Sequence, residues 1–517
     1  MNRVVIEKDS YHDSVFLMLI NKEVKQIPGV SDAVVAMATA MNLDLLAGMG
    51  LKGPELDGAA PNDLIIAVVG ESEASLSGAI ESARTLLSQK KRQGSAGGGY
   101  RPAGLDAAVQ MVEGANLAII SLPGAYAARE AARALSHNLH VMLFSDNVPI
   151  EEEIRLKSMA AERGLLMMGP DCGSAIINGK PICFANVVRR GSIGIVAASG
   201  TGLQEVSCSI DKLGAGVSQA IGTGGRDLAD PRVGGKMMLM GIEALANDPE
   251  TTVIAVVSKP PAEETAAKVI EALRRAGKPS VVDFLGARAQ PSPAGILFAF
   301  NLEEAAGMAV ALASGRSYTP HRFTIPEAEV ERLVRGETSR MARGQKYLRG
   351  LFTGGTLADE ALFLLDAGLG EIHSNNQTRK ELRLSDPRVS AKHTIVDLGD
   401  DLFTVGRPHP MIDPSIREER IDAEGEDREV ALILLDLVLG YGSHADPAGA
   451  IAGSLKRAKA KAAARGGYLS VVASITGTGG DFQKMPHQRR TLEEAGCVVM
   501  PSNYQAAMLA LKLLEGR

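Results

Sequence analysis

Tryptophan is absent from the 517 residues, and aromatic residues make up only 4% of the chain. That leaves little material for the stacking platforms that bind single-stranded nucleic acid. No basic run stands out and the net charge is −6, which argues against polyanion or anionic-membrane partners. The four cysteines (Cys172, Cys183, Cys208, Cys497) show no metal-ligand spacing. Reduced thiols, a cytoplasmic setting and no bound metal are therefore expected. No apolar run reaches membrane-spanning length, and the longest candidate, Ala431–Leu439, is interrupted by Asp436. The first nine residues, MNRVVIEKD, lack a signal-peptide core.

What is present is ordinary globular material, 45% hydrophobic and 22% charged. The length predicts about three or four domains. Apolar runs alternate with amphipathic helical patterns, which predicts a multidomain α/β fold with largely parallel sheets. Residues 1–90 read as a small N-terminal α/β domain of ferredoxin-like type, followed by a linker at Lys90–Gly99. Residues 101–190 read as a Rossmann-like domain with strands at Leu117–Ser121, Val141–Phe144 and Leu165–Met168. Residues 191–315 and 344–517 read as two similar flavodoxin-like domains, with a polar connector between them.

The internal repeat carries the functional argument. Ile195–Glu205 and Arg349–Glu360 both read as strand, Gly/Thr turn and helix. Thr394–Asp401 likewise parallels Ser218–Gly225. A turn that opens a helix offers free backbone N–H groups and the positive end of the helix dipole. Packed about a pseudo-two-fold axis, the two copies would aim two helix N-termini at one anion. The expected cradle is Ser199, Gly200, Thr201 and Gly202 from one copy with Gly354, Gly355 and Thr356 from the other.

Other loops at strand ends offer candidate contacts, where open α/β sheets bind ligands. In Gly222-Thr223-Gly224-Gly225-Arg226-Asp227, either Arg226 clamps an oxyanion or it pairs with Asp227. Asp397, Asp400 and Asp401 are either a cation or proton site or, the preferred reading, solvated loop acids. Gly406–Pro414 is proline-fixed around Arg407 and His409. It is either an acid–base and anion-holding loop or a rigid interface loop. Asn147, Asp171 and Cys172 lie in turns after strands, and Lys259 ends another. Cys172 has no histidine paired with it in sequence, which argues against a thiolate nucleophile.

The motifs support a resemblance. Gly169-Pro170-Asp171-Cys172, Ser199-Gly200-Thr201 with Glu205, and Val217–Gly225 resemble segments of succinyl-CoA synthetase α-subunits, and residues 344–517 resemble the last domain of the β-subunit. Over nearly the whole length the chain is similar to the FdrA family, through HDSVFLMLI, VMLFSDNVPIEEEI, MGPDCG, ASGTGLQE, GTGGRDL, VSKPPAE, FTGGTL and DLGDDLFTVGRPHPMIDP. The resemblance implies a CoA-binding-type Rossmann domain at 101–190 and CoA-ligase-type domains at 191–315 and 344–517. In the synthetases the helix ends face a phosphohistidine. The matching stretch here, Gln290–Ile296, has proline and serine in its place. The FdrA family is implicated as one subunit of oxamate carbamoyltransferase, acting with two other proteins in allantoin breakdown. That reading implies phosphate or carbamoyl phosphate at the helix ends, and oxamate held by Arg226 or Arg407. Partner subunits in a homo- or hetero-oligomer are implied as well. It calls for no cofactor, and CoA enters only under the alternative reading as an NDP-forming acyl-CoA synthetase subunit. A further alternative is a non-catalytic assembly subunit.

Overall fold

The computed structural model describes residues 1–517 apart from 11, 13, 40–41, 44–45, 48–50, 52–55, 57, 94–101, 103, 287–292, 405–406 and 516–517. Most of the linker motif, the stretch Gln290–Ser292 and Gly406 lie outside the described residues. The chain divides into two units, residues 1–101 with 401–409, and residues 102–400 with 410–517.

The first unit is built on an antiparallel sheet of β1 (Asn2–Glu7), β2 (Val30–Met37) and β3 (Leu64–Gly70), with β3 in the middle. β3 reads LIIAVVG without polar alternation because both of its faces are covered. Ile66 and Val68 pack with Leu17, Ile20 and Val24 of the helix Ser14–Lys25 and with Leu76, Ile80 and Ala83 of the helix Glu73–Gln93. Ile65 and Ala67 face Leu46, Leu51 and Leu56 on the other side. The order βαββα matches the first five elements of a ferredoxin-like sandwich.

The second unit holds three sheets. β4 (Leu117–Ile120), β5 (His140–Leu143) and β6 (Met167–Met168) run parallel, with the helices Gly124–Ser136 and Ile150–Glu162 as crossovers. Next come β7 (Ser174–Ile177), β8 (Lys180–Cys183), β9 (Arg190–Ala198), β10 (Val217–Gly222), β11 (Val253–Ser258), β12 (Ser280–Phe284) and β13 (Ile296–Phe298). They lie in the order β13-β12-β11-β9-β10-β7-β8. The β7–β8 hairpin therefore joins this sheet, antiparallel to β10 through Ala220 and Ile176, and a division at residue 190 cuts through it. The last sheet contains β14 (Tyr347–Phe352), β15 (Ile372–Ser374), β16 (His393–Asp397), β17 (Val430–Val438), β18 (Ser470–Thr476) and β19 (Val498–Met500). Its order is β15-β16-β14-β17-β18-β19, all parallel.

The repeat is visible in the topology. β10-β9-β11-β12-β13 and β16-β14-β17-β18-β19 share the flavodoxin-like order, second strand, first, third, fourth and fifth. Between these two sheets lie the helices Gly200–Lys212, Leu302–Ala313, Gly355–Leu369 and Asn503–Leu514, in one continuous core. Thr201 through Ile210 are all buried, as befits a helix with a sheet on one side and helices on the other. Leu203, Val206 and Ile210 are each buried to within 1% of complete, worth about 1.5–3 kcal/mol apiece. Among the described residues no helix is long and apolar enough to cross a membrane.

A buried charge network ties the 117–168 sheet to its neighbour. Lys157, fully buried, lies 2.8 Å from Glu153 and 2.9 Å from Asp227, and donates to the Thr223 carbonyl at 2.9 Å. Removing the cation leaves the buried Asp227 carboxylate without its cation, while Glu153 keeps Arg226 at 2.8 Å, and breaking such a buried pair costs about 3–5 kcal/mol. Lys157→Met is therefore expected to lower unfolding stability by that amount in urea titration. A loss below about 1 kcal/mol would show that the network is not the tie described.

Candidate functional site

The two repeated turns meet. Ser199 follows β9 in extended backbone and caps the helix Gly200–Lys212, its Oγ accepting the Gly202 N–H at 2.9 Å. The same oxygen lies 2.7 Å from Thr356 Oγ1, in the first turn of the helix Gly355–Leu369. Two helix N-termini, 157 residues apart in sequence, thus end against each other. Gly200 is exposed and Gly355 half-buried, so solvent reaches the junction.

Not every predicted donor is available. The N–H of Gly202 is taken by Ser199. That of Gly354 is taken by Asp436 Oδ2 at 2.7 Å, and Asp436 Oδ1 accepts the Thr353 N–H at 2.9 Å. Asp436 is fully buried on β17 and is balanced by Arg417, whose Nη2 lies 3.3 Å from it and also donates to Thr353 Oγ1 at 2.8 Å. The glycines serve close approach rather than unusual backbone angles. A Cβ on Gly354 would stand 2.9 Å from Thr201 Cγ2, and one on Gly355 would stand 2.5 Å from Asp397 Oδ2.

Around Gly355 lies a charged cluster that draws on four chain segments. Lys259, just after β11, pairs with Asp359 at 2.6 Å. Asn376 donates to Asp359 at 2.9 Å and to Asp397 Oδ2 at 3.3 Å. Asp397 Oδ1 accepts the Gly399 N–H at 2.9 Å. Lys259 titrates above its ordinary value, because Asp359 and Asp397 outweigh the opposing effect of burial. Burial pushes the Asp397 carboxyl up to about 7, against the pull of Lys259 and with a push from Asp359. Asp397 is thus a 7% exposed group beside the helix end rather than a solvated loop acid.

Other expectations need correction. Arg226 is not free to clamp a ligand, nor does it pair with Asp227. Its Nε lies 2.8 Å from the buried Glu153, and its Nη2 donates to the Val148 carbonyl at 2.8 Å. Asp227 instead binds Lys157 and the N–H groups of Met237 and Met238. The loop Gly222-Thr223-Gly224-Gly225 receives its own chain. A Cβ on Gly222 would meet Cys172 Sγ at 2.5 Å, and one on Gly224 the Pro170 carbonyl at 2.5 Å. Thr223 is fully buried. Cys172 is a packing residue, since burial pushes its thiol up to about 12. Asp171 and Asn147 are exposed turn residues with positive φ. Arg407, exposed, and His409, half-buried, belong to the segment Asp401–His409, which groups with residues 1–101 and not with the unit that carries the helix ends.

Asp397 makes the site's pH behaviour predictable. A carboxyl raised above its ordinary value holds a proton in the folded chain that the unfolded chain has released. Its contribution therefore favours folding at low pH and is lost as pH rises from about 4 to about 7. Glu360, fully buried and pushed up to about 8, acts in the same direction. Asp397→Asn is expected to shrink the fall in Tm between pH 5 and pH 8, with Glu360 supplying the remainder. An unchanged slope would refute this. Gly355→Ala should lower Tm in the Asp397 background, and less so combined with Asp397→Ala, as a thermal double-mutant cycle would show.

Three family models match the chain. The AllF, heavy metal-associated domain covers residues 1–102, the CoA binding domain residues 188–286, and CoA-ligase residues 351–513. Residues 1–102 contain no cysteine, so this domain offers a soft heavy metal no thiolate ligand. Among the described residues no group of three or more His, Cys, Asp or Glu is placed to hold a metal ion. The CoA binding match falls on β9 to β12, the first flavodoxin-like sheet. The succinate–CoA ligase [ADP-forming] α-subunit of Aquifex aeolicus is 31% identical over 186 residues, 34% of this chain and 59% of that one. The Archaeoglobus fulgidus α-subunit 2 is 28% identical over 183 residues and 61% of its length, so the chain spans about 60% of these relatives. Among solved structures, PH0766 of Pyrococcus horikoshii aligns at 16% identity over 77% of this chain and 83% of that one, with a TM-score of 0.32. YahF of Escherichia coli K12 is 46% identical over 513 residues, 99% of this chain and 98% of its own length. The chain belongs to the same family as YahF, within the succinyl-CoA ligase-like superfamily.

Proposed function

We propose that the chain is an FdrA-type subunit of oxamate carbamoyltransferase, interconverting oxamate plus carbamoyl phosphate with oxalurate plus phosphate. The observation that carries this is the convergence of two helix N-termini at Ser199 and Thr356. Such a junction suits a phosphate group, held by N–H groups of Gly200, Thr201, Gly355 and Thr356. Lys259 is the cation the cluster offers to an anionic substrate. Catalysis is then positioning plus electrostatic stabilisation of the departing phosphate. The match of residues 1–102 to an AllF domain supports a place in allantoin breakdown. The reading sets the chain in the cytoplasm, working with other subunits of the same pathway.

The second reading is an NDP-forming acyl-CoA synthetase subunit, which the CoA-ligase and CoA binding matches favour. Against it, the stretch from residue 141 to residue 320 contains no histidine to relay phosphate. Direct transfer from carbamoyl phosphate needs no such relay.

A ligand panel separates the two readings. Carbamoyl phosphate or phosphate, at about a hundredfold over its Kd, is expected to stabilise the chain by about 2.7 kcal/mol, while CoA and ATP do nothing. Stabilisation by CoA or ATP would favour the synthetase reading. Gly200→Asp supplies the control. Gly200 has nothing nearer than Ser174 Oγ, 3.5 Å from a built Cβ, and a carboxylate suits the first turn of a helix. The variant should fold normally and lose phosphate affinity at least tenfold. Unchanged affinity would remove phosphate from the helix ends.

A further inference from the structure

Asp397 ends β16 and lies against the first turn of the helix Gly355–Leu369, so close that position 355 has no room for a side chain. Three carboxylates border that turn. Asp359 has Lys259 at 2.6 Å, and Asp436, across Gly354, has Arg417 at 3.3 Å. Among the described residues Asp397 bonds directly to neutral groups, the Gly399 N–H and the Asn376 amide, and Lys259 acts on it only from its place against Asp359. Also nearby are Asp171, which acts on Lys259 from the loop after β6, and Asp400, three residues beyond Asp397 in the loop after β16. An anion seated at the helix ends would therefore meet one buried carboxyl group whose neighbouring cation, Lys259, is already paired with Asp359.

We propose that the anion at the helix ends binds together with one proton, and that Asp397 carries it. The inference rests on the helix-end phosphate reading and assigns the acid–base group of that site. The chemistry balances. The oxamate amide nitrogen attacks the carbamoyl carbon and a C–N bond forms. The C–O bond to phosphate breaks, its electron pair staying on the phosphate oxygen. That oxygen takes the Asp397 proton and leaves as hydrogen phosphate. The Asp397 carboxylate then accepts the proton from the newly bonded nitrogen, which restores the starting state. Burial holds this carboxyl at about 7, where it can both give and take a proton at neutral pH.

The test is phosphate binding to the full chain by calorimetry in buffers of different ionisation enthalpy, at pH 6.5 and pH 8. Comparing the wild type with Asp397→Asn cancels the proton that phosphate itself exchanges. At pH 8 the wild type should take up close to one proton more per phosphate than Asp397→Asn. The variant should also bind about tenfold tighter there, since a group with a pKa of about 7 must be protonated against one pH unit. Asn376→Ala removes the amide from Asp397 without adding charge and moves the uptake to higher pH, which keeps the test alive if Asp397→Asn misfolds. Equal proton uptake and equal affinity in wild type and Asp397→Asn, with Gly200→Asp still abolishing binding, would overturn the proposal and leave the phosphate site standing. Phosphate binding that Gly200→Asp does not affect would overturn both.

Discussion

Ser199 Oγ and Thr356 Oγ1 stand 2.7 Å apart, and that distance demands a good deal of the surrounding fold. It requires β9 and β14 to end at matching heights in two different sheets. It also requires the helices that follow them to share one apolar core, as Leu203, Leu357 and Leu365 do. Polar groups drawn into that core must find partners there, or each would cost on the order of 1–3 kcal/mol. They do so across the junction. Asn186 donates to the Leu439 carbonyl and to Asp481, both at 2.9 Å. Glu205 accepts from Thr476 at 2.5 Å, and Glu360 from the Leu302 N–H at 2.8 Å and from Asn503 at 2.7 Å. All but the Glu360–Asn503 bond, which lies within the second half, reach from one half of the repeat to the other, so neither half is satisfied alone.

The two halves solve the same capping problem differently. In the first, Ser199 supplies its own oxygen to Gly202. In the second, the capping residue is Gly354, which has none to give, and the acceptor comes from the neighbouring strand as Asp436. Strand register shows what changed. Ala197 on β9 pairs with Val257 on β11. The equivalent of Val257 on β17 is Asp436, one step beyond the Leu351–Leu435 pair. A buried valine in one copy is a buried carboxylate in the other, and Arg417 is the cation that makes it tolerable.

Much of this architecture was legible in the chain. Long apolar runs such as those of β11 and β17 are fully buried parallel strands and read as such without alternation. The Gly/Thr turns that follow β9 and β14 announce helix starts, and their repetition announced the duplicated domain. The β7–β8 hairpin was not legible, because four-residue strands beside a long one carry no period of their own. Nor were the partners of Arg226. Glu153 lies 73 positions away in sequence, and only the folded chain shows that this buried carboxylate claims both Arg226 and Lys157. Asp397 and Asp400 look alike in the sequence. Their difference is burial, which is a property of what packs over β16 and not of the local residues.

The unequal caps bear on how an anion would sit. A neutral hydroxyl cap leaves the positive end of the helix Gly200–Lys212 undiminished, whereas a carboxylate under the helix Gly355–Leu369 offsets part of its dipole. Arg417 restores that balance at Asp436, but from the buried side, where it also holds Thr353. The face open to solvent then receives its positive potential mainly from the first helix and from Lys259. Under the phosphate reading, the anion sits nearer Gly200 and Thr201, and the second helix contributes its flank and Asp397. One end of the junction thus binds charge and the other manages protons.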